Sequence, residues 1–158
     1  MSLAIVPGSF DPMTLGHLAL VKIAAARYDE VVVAVMQNAE KQYLFTTEER
    51  VEIAKRTVEG LSNVKVISDD GMLIDLYDRL GASAVCKGYR NETDLAYERS
   101  MADWNFAHNP RFVTELIPSK GIYANVSSTD VRNAMKNRAE LSALVHPDVI
   151  SILSKKTI

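Results

Sequence analysis

The chain has 158 residues, of which 47% are hydrophobic and 24% are charged, and its net charge is −2 with a pI of about 5.9. This length and balance indicate one globular domain with a full apolar core. The weak net charge excludes a broad basic surface for nucleic acid or membranes, but it allows a local basic pocket for a small anion. The single cysteine, Cys86, cannot form an intramolecular disulfide, and neither a membrane span nor a signal peptide is evident, so we expect a cytoplasmic protein.

Short β-branched runs alternate with longer helical patterns along the chain. Strands are predicted at residues 3–6, 30–36, 63–67, 82–86 and 112–117. Helices are predicted at residues 18–26, 46–58, 71–80 and 91–107, with another beginning at Ser127 or Ser128 and a short one beginning at His146. This alternation predicts a single α/β domain over residues 1–158, in which a doubly wound five-stranded parallel sheet carries helices on both faces.

Local signals support these assignments. Residues 30–36 are almost uniformly apolar, as expected for a strand that is covered on both faces. Thr46 lies three residues before Glu49 in a capping-box pattern. The segment that follows is predicted to be helical through about Val58, because Val51, Ala54, Lys55 and Val58 recur at helical spacing. In folds of this class, ligands bind at the carboxyl ends of the strands, near the switch in strand order.

The first strand leads directly into the turn Pro-Gly-Ser-Phe-Asp-Pro-Met-Thr-Leu-Gly-His at residues 7–17, and a helix follows. A helix start presents unpaired N–H groups and the positive end of the helix dipole, so it favours a phosphate. His17 can add a side-chain donor there, and a capping or core role for this histidine is the alternative. Neither GxGxxG nor GxxxxGK[ST] is present, which argues against a dinucleotide site of the usual type and against a P-loop.

Residues 14–17, Thr-Leu-Gly-His, resemble the T/H-x-G-H signature of the nucleotidyltransferase superfamily, and the longer turn is similar to that of bacterial phosphopantetheine adenylyltransferases. Three further segments match that family in the same order. They are Lys41 with residues 44–50, Lys87-Gly88-Tyr89-Arg90 followed by Asp94, Tyr97 and Glu98, and residues 126–129 followed by Arg132. The resemblance therefore covers residues 4–132 and implies a Rossmann-like fold.

This resemblance implies transfer of the adenylyl group of ATP to 4′-phosphopantetheine, which gives dephospho-coenzyme A and pyrophosphate in coenzyme A biosynthesis. Such an in-line displacement at the α-phosphorus, without a covalent intermediate, needs mainly positioning and charge stabilisation. The acceptor is a phosphate monoester with a second pKa of about 6, so it needs no general base near neutral pH. Mg²⁺ is expected through the ATP phosphates, with no metal site built by the protein. The resemblance also implies a homohexamer and feedback inhibition by coenzyme A.

The same resemblance assigns site residues. His17 would stabilise the transition state as a donor to the α-phosphate, with Lys41 and Arg90 as the other catalytic residues. The residues implied to bind ATP are Ser9, Phe10 through its backbone, His17, Gly88, Tyr89, Arg90, Glu98, Tyr123, Ala124, Asn125, Val126, Ser127, Ser128 and Thr129. Those implied to bind the acceptor are Ser9, Lys41, Leu73, Lys87 and Asn105.

Lys87 departs from the commoner family pattern, which has Arg at this position. A Lys ammonium cannot form the planar bidentate fork of Arg, so the acceptor assignment is less constrained there. Two alternatives follow. One is a related nucleotidyltransferase with another phosphate acceptor, such as nicotinamide mononucleotide or glycerol 3-phosphate. The other is a non-catalytic nucleotide-binding or regulatory domain, against which Thr14, His17 and residues 127–129 argue.

Overall fold

The computed structural model describes residues 1–156, which form a five-stranded parallel sheet in the order β3-β2-β1-β4-β5 with helices on both faces. The strands are β1 Leu3–Gly8, β2 Glu30–Met36, β3 Val64–Asp69, β4 Ala84–Tyr89 and β5 Thr114–Pro118. The helices are α1 Leu15–Arg27, α2 Thr47–Val58, α3 Leu73–Leu80, α4 Glu92–His108, α5 Ser128–Lys136 and α6 Ile150–Lys155, with a 3₁₀ turn at Pro147–Val149. The predicted α/β architecture is confirmed.

The two faces of the sheet carry separate apolar cores because successive side chains of a strand point to opposite sides. On β1, Ala4 and Val6 belong to the core formed with α1, α2 and α5. Ile5 belongs to the opposite core, with Leu76 and Tyr77 of α3. α4 lies against β4 and β5 and contributes no fully buried residue to either core.

The strand order places a switch point at β1. The chain passes from β1 to β2 and β3 on one side, and then crosses to β4 and β5 on the other side. The connections that leave the carboxyl ends of β1 and β4 therefore diverge, and a crevice opens between them. The turn at residues 9–14 and the start of α4 lie at this edge.

Two strands extend further than the sequence pattern predicted. β1 continues through Pro7 and Gly8, which pair with Ala34 and Val35 of β2. β4 continues through Tyr89, because residues 87–89 pair with β5. Lys87 was expected just after the strand and instead lies within it. Backbone pairing with neighbouring strands extends both strands beyond their apolar runs. The β-propensity of the local sequence cannot predict that pairing.

Other boundaries also differ from the prediction. β5 begins at Thr114 and not at residue 112, because Phe112 turns inward and packs on Tyr77 with ring centroids 4.5 Å apart. Of the α2 residues noted at helical spacing, Ala54 and Val58 are buried, Val51 is half-buried and Lys55 is exposed. The buried face of the helix consists of Arg50, which is only 1% exposed, with Ile53, Ala54, Thr57 and Val58.

Candidate functional site

A cavity of about 360 Å³ lies at the carboxyl ends of β1 and β4, at the switch in strand order. It is bordered by the start of α1, the start of α4 and the start of α5. The structure brings together here ten of the predicted site residues: Phe10, His17, Lys87, Gly88, Arg90, Glu98, Ala124, Val126, Ser127 and Ser128. These residues come from three separate stretches of the chain, residues 10–17, 87–98 and 124–128, so only the fold assembles them.

Thr14 and His17 form a capping box at the start of α1. The Thr14 hydroxyl accepts hydrogen bonds from the N–H groups of Gly16 at 3.1 Å and His17 at 3.2 Å. In return, the Thr14 backbone N–H donates to Nδ1 of His17 at 3.0 Å. The histidine thus takes the place that Glu or Gln usually has in a capping box. Since Nδ1 accepts this bond, the neutral ring carries its proton on Nε2.

The His17 imidazole is neutral over the physiological pH range. Burial and, to a smaller extent, the positive charges of Lys87 and Arg90 together lower the pKa of His17 to about 4. The Phe10 ring holds the imidazole from one side in an edge-to-face contact with centroids 5.0 Å apart. The site therefore presents a neutral, oriented Nε2–H donor beside two cations.

Gly16 allows the segment at residues 123–126 to pack closely on the start of α1. A Cβ at position 16 would lie 2.7 Å from the Val126 carbonyl oxygen and 3.0 Å from that of Tyr123. These distances are shorter than van der Waals contact, so the approach requires glycine. The Thr14 hydroxyl lies 3.4 Å from the Val126 carbonyl oxygen, which ties the two segments together.

The start of α5 forms the opposite wall of the cavity. Ser127 is the N-cap, its hydroxyl accepts from the Asp130 N–H at 3.2 Å, and Asp130 bonds back to the Ser127 N–H at 2.9 Å. The Ser128 hydroxyl donates to the Pro12 carbonyl at 2.8 Å, which anchors α5 to the first turn. The positive ends of α1 and α5 thus border the same cavity.

Two ion pairs lie along the α4 side of the cavity. Lys87 Nζ lies 3.4 Å from Glu98 Oε2, and that oxygen is buried without a hydrogen-bond partner within residues 1–156. Arg90 Nε lies 3.2 Å from Asp94 Oδ2. Lys87 and Arg90 both come from the end of β4 or the residue after it, so their charges face the same space.

A second cavity of about 110 Å³ lies next to the first. Lys87, Tyr97 and Glu98 line both cavities and lie between them. Leu73 and Asn105, which were predicted to contact the acceptor, both line the second cavity. Its remaining wall is largely apolar and is formed by Val85, Met101, Ala102 and Thr114.

The other predicted residues lie outside both cavities. Lys41 is exposed in the connection between β2 and α2, and Tyr123 lines a small separate cavity of about 30 Å³ between α1 and the end of β5. The Thr129 hydroxyl accepts a hydrogen bond from Arg132 at 3.1 Å. Ser9, Tyr89 and Asn125 are also absent from the cavity walls.

Two buried residues around the first turn were missed from the sequence. Asp11 accepts hydrogen bonds from the N–H groups of Leu44 and Phe45, both at 2.9 Å. Arg50 donates to the Ser9 carbonyl at 2.9 Å. A signal for Arg50 was present, because it lies three and four residues before the buried residues Ile53 and Ala54 on one helix face.

Two further properties concern the described part of the chain. Within residues 1–156, no group of three or more His, Cys, Asp or Glu side chains is arranged to hold a metal ion. No helix in the same range combines the length and apolar character needed to cross a membrane.

The chain is similar to known proteins in both sequence and fold. The Cytidylyltransferase-like family model matches residues 5–134. Phosphopantetheine adenylyltransferases from Limosilactobacillus reuteri (strain DSM 20016) and from Limosilactobacillus reuteri subsp. reuteri (strain JCM 1112) are each 40% identical over 156 residues, covering 99% of this chain and 90% of the relative.

A crystal structure from Vibrio parahaemolyticus, provisionally named a nicotinate-nucleotide adenylyltransferase, superimposes with a TM-score of 0.72 at 19% identity. The match covers 98% of this chain and 100% of that one, and at this identity it supports the fold alone. The assignment to a particular family rests on the 40% sequence identity to the phosphopantetheine adenylyltransferases over 99% of this chain. The chain therefore belongs to the phosphopantetheine adenylyltransferase family, within the cytidylyltransferase-like nucleotidyltransferases.

Proposed function

We propose that this chain transfers the adenylyl group of ATP to 4′-phosphopantetheine, giving dephospho-coenzyme A and pyrophosphate in coenzyme A biosynthesis. The observation that carries this proposal is the Nε2–H of neutral His17, held by Thr14 in a cavity that Lys87 and Arg90 also line. The relatives that are 40% identical over nearly the whole chain carry the name of this activity. We also propose that residues 1–158 form one nucleotidyltransferase domain.

The reaction is an in-line displacement. A phosphate oxygen of the acceptor attacks the α-phosphorus, the new P–O bond forms as the bond to the β-phosphate oxygen breaks, and pyrophosphate leaves with the electron pair. The acceptor phosphate is already largely ionised near neutral pH, because its second pKa is about 6. No side chain has to remove a proton, and the protein contributes alignment and charge stabilisation.

His17 acts on the α-phosphate. As negative charge shifts onto its non-bridging oxygens in the transition state, the Nε2–H donates a hydrogen bond that strengthens with that charge. The donor stays in place because Thr14 and Phe10 hold the ring. A neutral imidazole donates a hydrogen bond here and does not transfer a proton.

The remaining charges are assigned to the other phosphates. Arg90 and the start of α5 at residues 127–129 would bind the leaving β- and γ-phosphates, since unpaired N–H groups and helix dipoles favour anions. Lys87, at the wall between the two cavities, would bind the acceptor phosphate. Lys41 is proposed as a second ligand of that phosphate and is exposed in the structure.

The two substrates would occupy different cavities. Residues 123–126 pack on α1 next to the larger cavity, and we assign them to the adenine base. The larger cavity would also take the rest of the nucleotide, through Ser9, Phe10, Gly88, Tyr89 and Glu98. The smaller, largely apolar cavity with Leu73 and Asn105 would hold the pantetheine arm.

Mg²⁺ enters this proposal as part of the substrate Mg-ATP. The ion favours phosphate oxygens and water, and when bound it neutralises charge on the leaving pyrophosphate. The cationic lining of the larger cavity fits a triphosphate, with Lys87, Arg90 and two helix N-termini facing it. We further propose that the enzyme works in the cytoplasm, where ATP and phosphopantetheine are available.

We also propose a homohexamer and feedback inhibition by coenzyme A. Helix α4 supports self-association, because its surface exposes Tyr97 at 64%, Trp104 at 43% and Phe106 at 57%. Coenzyme A differs from the product by one phosphate, so it would compete for both cavities. Light scattering of the native chain and of Trp104→Glu tests the assembly, and a monomeric native chain would contradict it.

The decisive experiment measures pyrophosphate release from Mg-ATP with each of three acceptors: 4′-phosphopantetheine, nicotinamide mononucleotide and glycerol 3-phosphate. We expect turnover with phosphopantetheine alone. His17→Ala should lower kcat by about 10²–10³-fold, as for loss of a preorganised transition-state donor. His146→Ala is the matched control, because that ring lies outside both cavities.

The outcomes separate the alternatives. Turnover with another acceptor would keep the superfamily and replace the acceptor. Binding of ATP without turnover on any acceptor would favour a regulatory nucleotide-binding domain. Normal turnover by His17→Ala would remove the proposed role of His17.

A further inference from the structure

Arg50 is a buried cation with no carboxylate beside it. Arg50 is only 1% exposed and lies on the inward face of α2. No Asp or Glu oxygen within residues 1–156 lies in ion-pair distance of its guanidinium. Burying an unpaired charge costs free energy of desolvation unless hydrogen bonds offset it. The groups to which the guanidinium donates therefore show what this residue does.

The guanidinium joins three parts of the chain around the first turn. Nη1 donates to the Ser9 carbonyl at 2.9 Å and to the Met36 carbonyl at 3.3 Å. Nη2 donates to Gln37 Oε1 at 3.1 Å and to Thr47 Oγ1 at 3.3 Å. One side chain thus connects the turn after β1, the end of β2 and the start of α2.

The bond to Ser9 also orients a group of the candidate site. In a trans peptide, the C=O of Ser9 and the N–H of Phe10 point in opposite directions, so fixing one fixes the other. Arg50 holds the carbonyl from inside the protein, and Phe10 borders the larger cavity. The positive guanidinium also polarises this peptide so that its N–H becomes a better donor to an anion.

The bond from Arg50 to the Ser9 carbonyl is called the first arm, and a second arm of contacts links Arg50 to the segment that carries Lys41. The Tyr43 ring centroid lies 3.9 Å from the Arg50 guanidinium carbon, which is a cation–π contact. The Tyr43 hydroxyl accepts from the Asn38 N–H at 2.9 Å, and the Asn38 carbonyl accepts from the Lys41 N–H at 3.0 Å. The path from Arg50 through Tyr43 and Asn38 therefore ends at the Lys41 backbone.

We propose that Arg50 is a positioning residue that holds the Ser9–Phe10 peptide with its N–H toward the nucleotide cavity and, through Tyr43, fixes the segment carrying Lys41. Arg50 touches no substrate in this proposal. Its effect on turnover rests on the proposed function, whereas its effect on the two segments does not. The arms are separable, because Tyr43 belongs to only one of them.

The test combines amide NMR with steady-state kinetics. The chemical shift of the Phe10 N–H reports the hold on the Ser9–Phe10 peptide, and hydrogen exchange at residues 38–43 reports the hold on the segment that carries Lys41. Arg50→Lys keeps the charge but cannot reproduce the planar fork, and Arg56→Lys is the control on the same helix, because the Arg56 side chain is 42% exposed. In Arg50→Lys we expect a shifted Phe10 amide resonance and faster exchange at residues 38–43, and in Arg56→Lys we expect neither change. At saturating ATP and well below the unfolding temperature, kcat of Arg50→Lys should fall on the order of 10²-fold, as for a small misplacement of reacting groups.

Variants of Tyr43 test the second arm alone. Tyr43→Leu removes the aromatic face, so exchange should rise at residues 38–43 while the Phe10 amide resonance stays unchanged. Tyr43→Phe keeps the ring and removes only the acceptor of the Asn38 N–H, so the rise should concentrate at Asn38. Because this arm acts through Lys41, Tyr43→Leu should lower kcat in the native background and have no further effect when combined with Lys41→Ala.

If Arg50→Lys does not fold, Gln37→Leu removes one acceptor of the guanidinium and should shift the Phe10 amide resonance by a smaller amount in the same direction. An unchanged Phe10 amide resonance in a folded Arg50→Lys or in Gln37→Leu would overturn the first arm. Additive losses for Tyr43→Leu and Lys41→Ala would overturn the second arm. The NMR measurements need no catalysis, so they decide the structural part even if pyrophosphate release shows another acceptor.

Discussion

The backbone N–H of Thr14 donates a 3.0 Å hydrogen bond to Nδ1 of His17, and this bond determines which ring nitrogen carries the proton. The Thr14 hydroxyl at the same time accepts the His17 backbone N–H at 3.2 Å. The two residues thus start α1 and orient the imidazole with the same pair of contacts. The helix cap and the candidate phosphate donor are therefore one structural unit.

Replacement of Thr14 by Val should separate these effects. The variant keeps the backbone N–H that orients His17, but it removes the hydroxyl that caps α1 inside a fully buried environment. We expect the free energy of unfolding to fall by about 1–2 kcal/mol, as for loss of an N-cap. Urea denaturation measures it, and Thr14→Ser should retain most of the stability. A loss of stability in Thr14→Ser with none in Thr14→Val would show that the methyl group, and not the hydroxyl, matters.

The lowered pKa of His17 predicts a pH dependence of stability. In the unfolded chain the imidazole takes up a proton near its ordinary pKa of 6.5, whereas in the folded chain it does so only near 4. Between these values the unfolded state binds more protons, so stability falls as the pH falls from 6.5 to 4. The free energy of unfolding of the native chain and of His17→Asn should be measured by denaturation over this pH range. It should contain the His17 loss in the native chain but not in His17→Asn, so the two curves should converge toward acid pH. Parallel curves would contradict the lowered pKa.

Gly16→Ala should disturb the contact between α1 and residues 123–126. The added methyl would lie 2.7 Å from the Val126 carbonyl oxygen, so one of the segments must move. Overpacking of this kind costs about 1–3 kcal/mol, and we also expect weaker binding of ATP because the displaced segment borders its cavity. Calorimetric titration with α,β-methylene-ATP measures the binding. Gly60→Ala is the matched control, since no atom lies within 4 Å of its added Cβ.

Lys87→Met should raise KM for the acceptor phosphate more than KM for ATP. It removes the cation at the wall between the cavities and leaves the buried Glu98 Oε2 without its ion-pair partner. Loss of a charged hydrogen bond costs about 1.5–3 kcal/mol, which corresponds to roughly 10–100-fold in KM.

Lys87→Arg provides the matched comparison. An Arg fork can contact both Glu98 and a phosphate, so we expect turnover to be retained and KM for the acceptor to stay the same or fall. Equal changes in both KM values for Lys87→Met would place this cation at a site shared by the two substrates.

Much of the fold was predictable from local patterns. The apolar run at residues 30–36, the capping pattern at Thr46 and Glu49, and the glycine that ends α3 each depend on neighbouring residues alone. Their alternation along the chain predicted the parallel sheet, and the sheet predicted a site at its carboxyl edge. The strand ends were less accurate, because Gly8 and Tyr89 pair with residues that are distant in sequence.

The sequence by itself therefore determined the order of the elements, the family and the residue types available for phosphate chemistry. The tertiary structure decided how those residues are used. It placed the His17 proton on Nε2, divided the crevice into two cavities with Lys87, Tyr97 and Glu98 between them, and buried Arg50 behind the first turn. These outcomes depend on contacts between residues far apart in the chain, such as Gly16 with Val126 and Arg50 with Ser9, and no local pattern specifies such contacts.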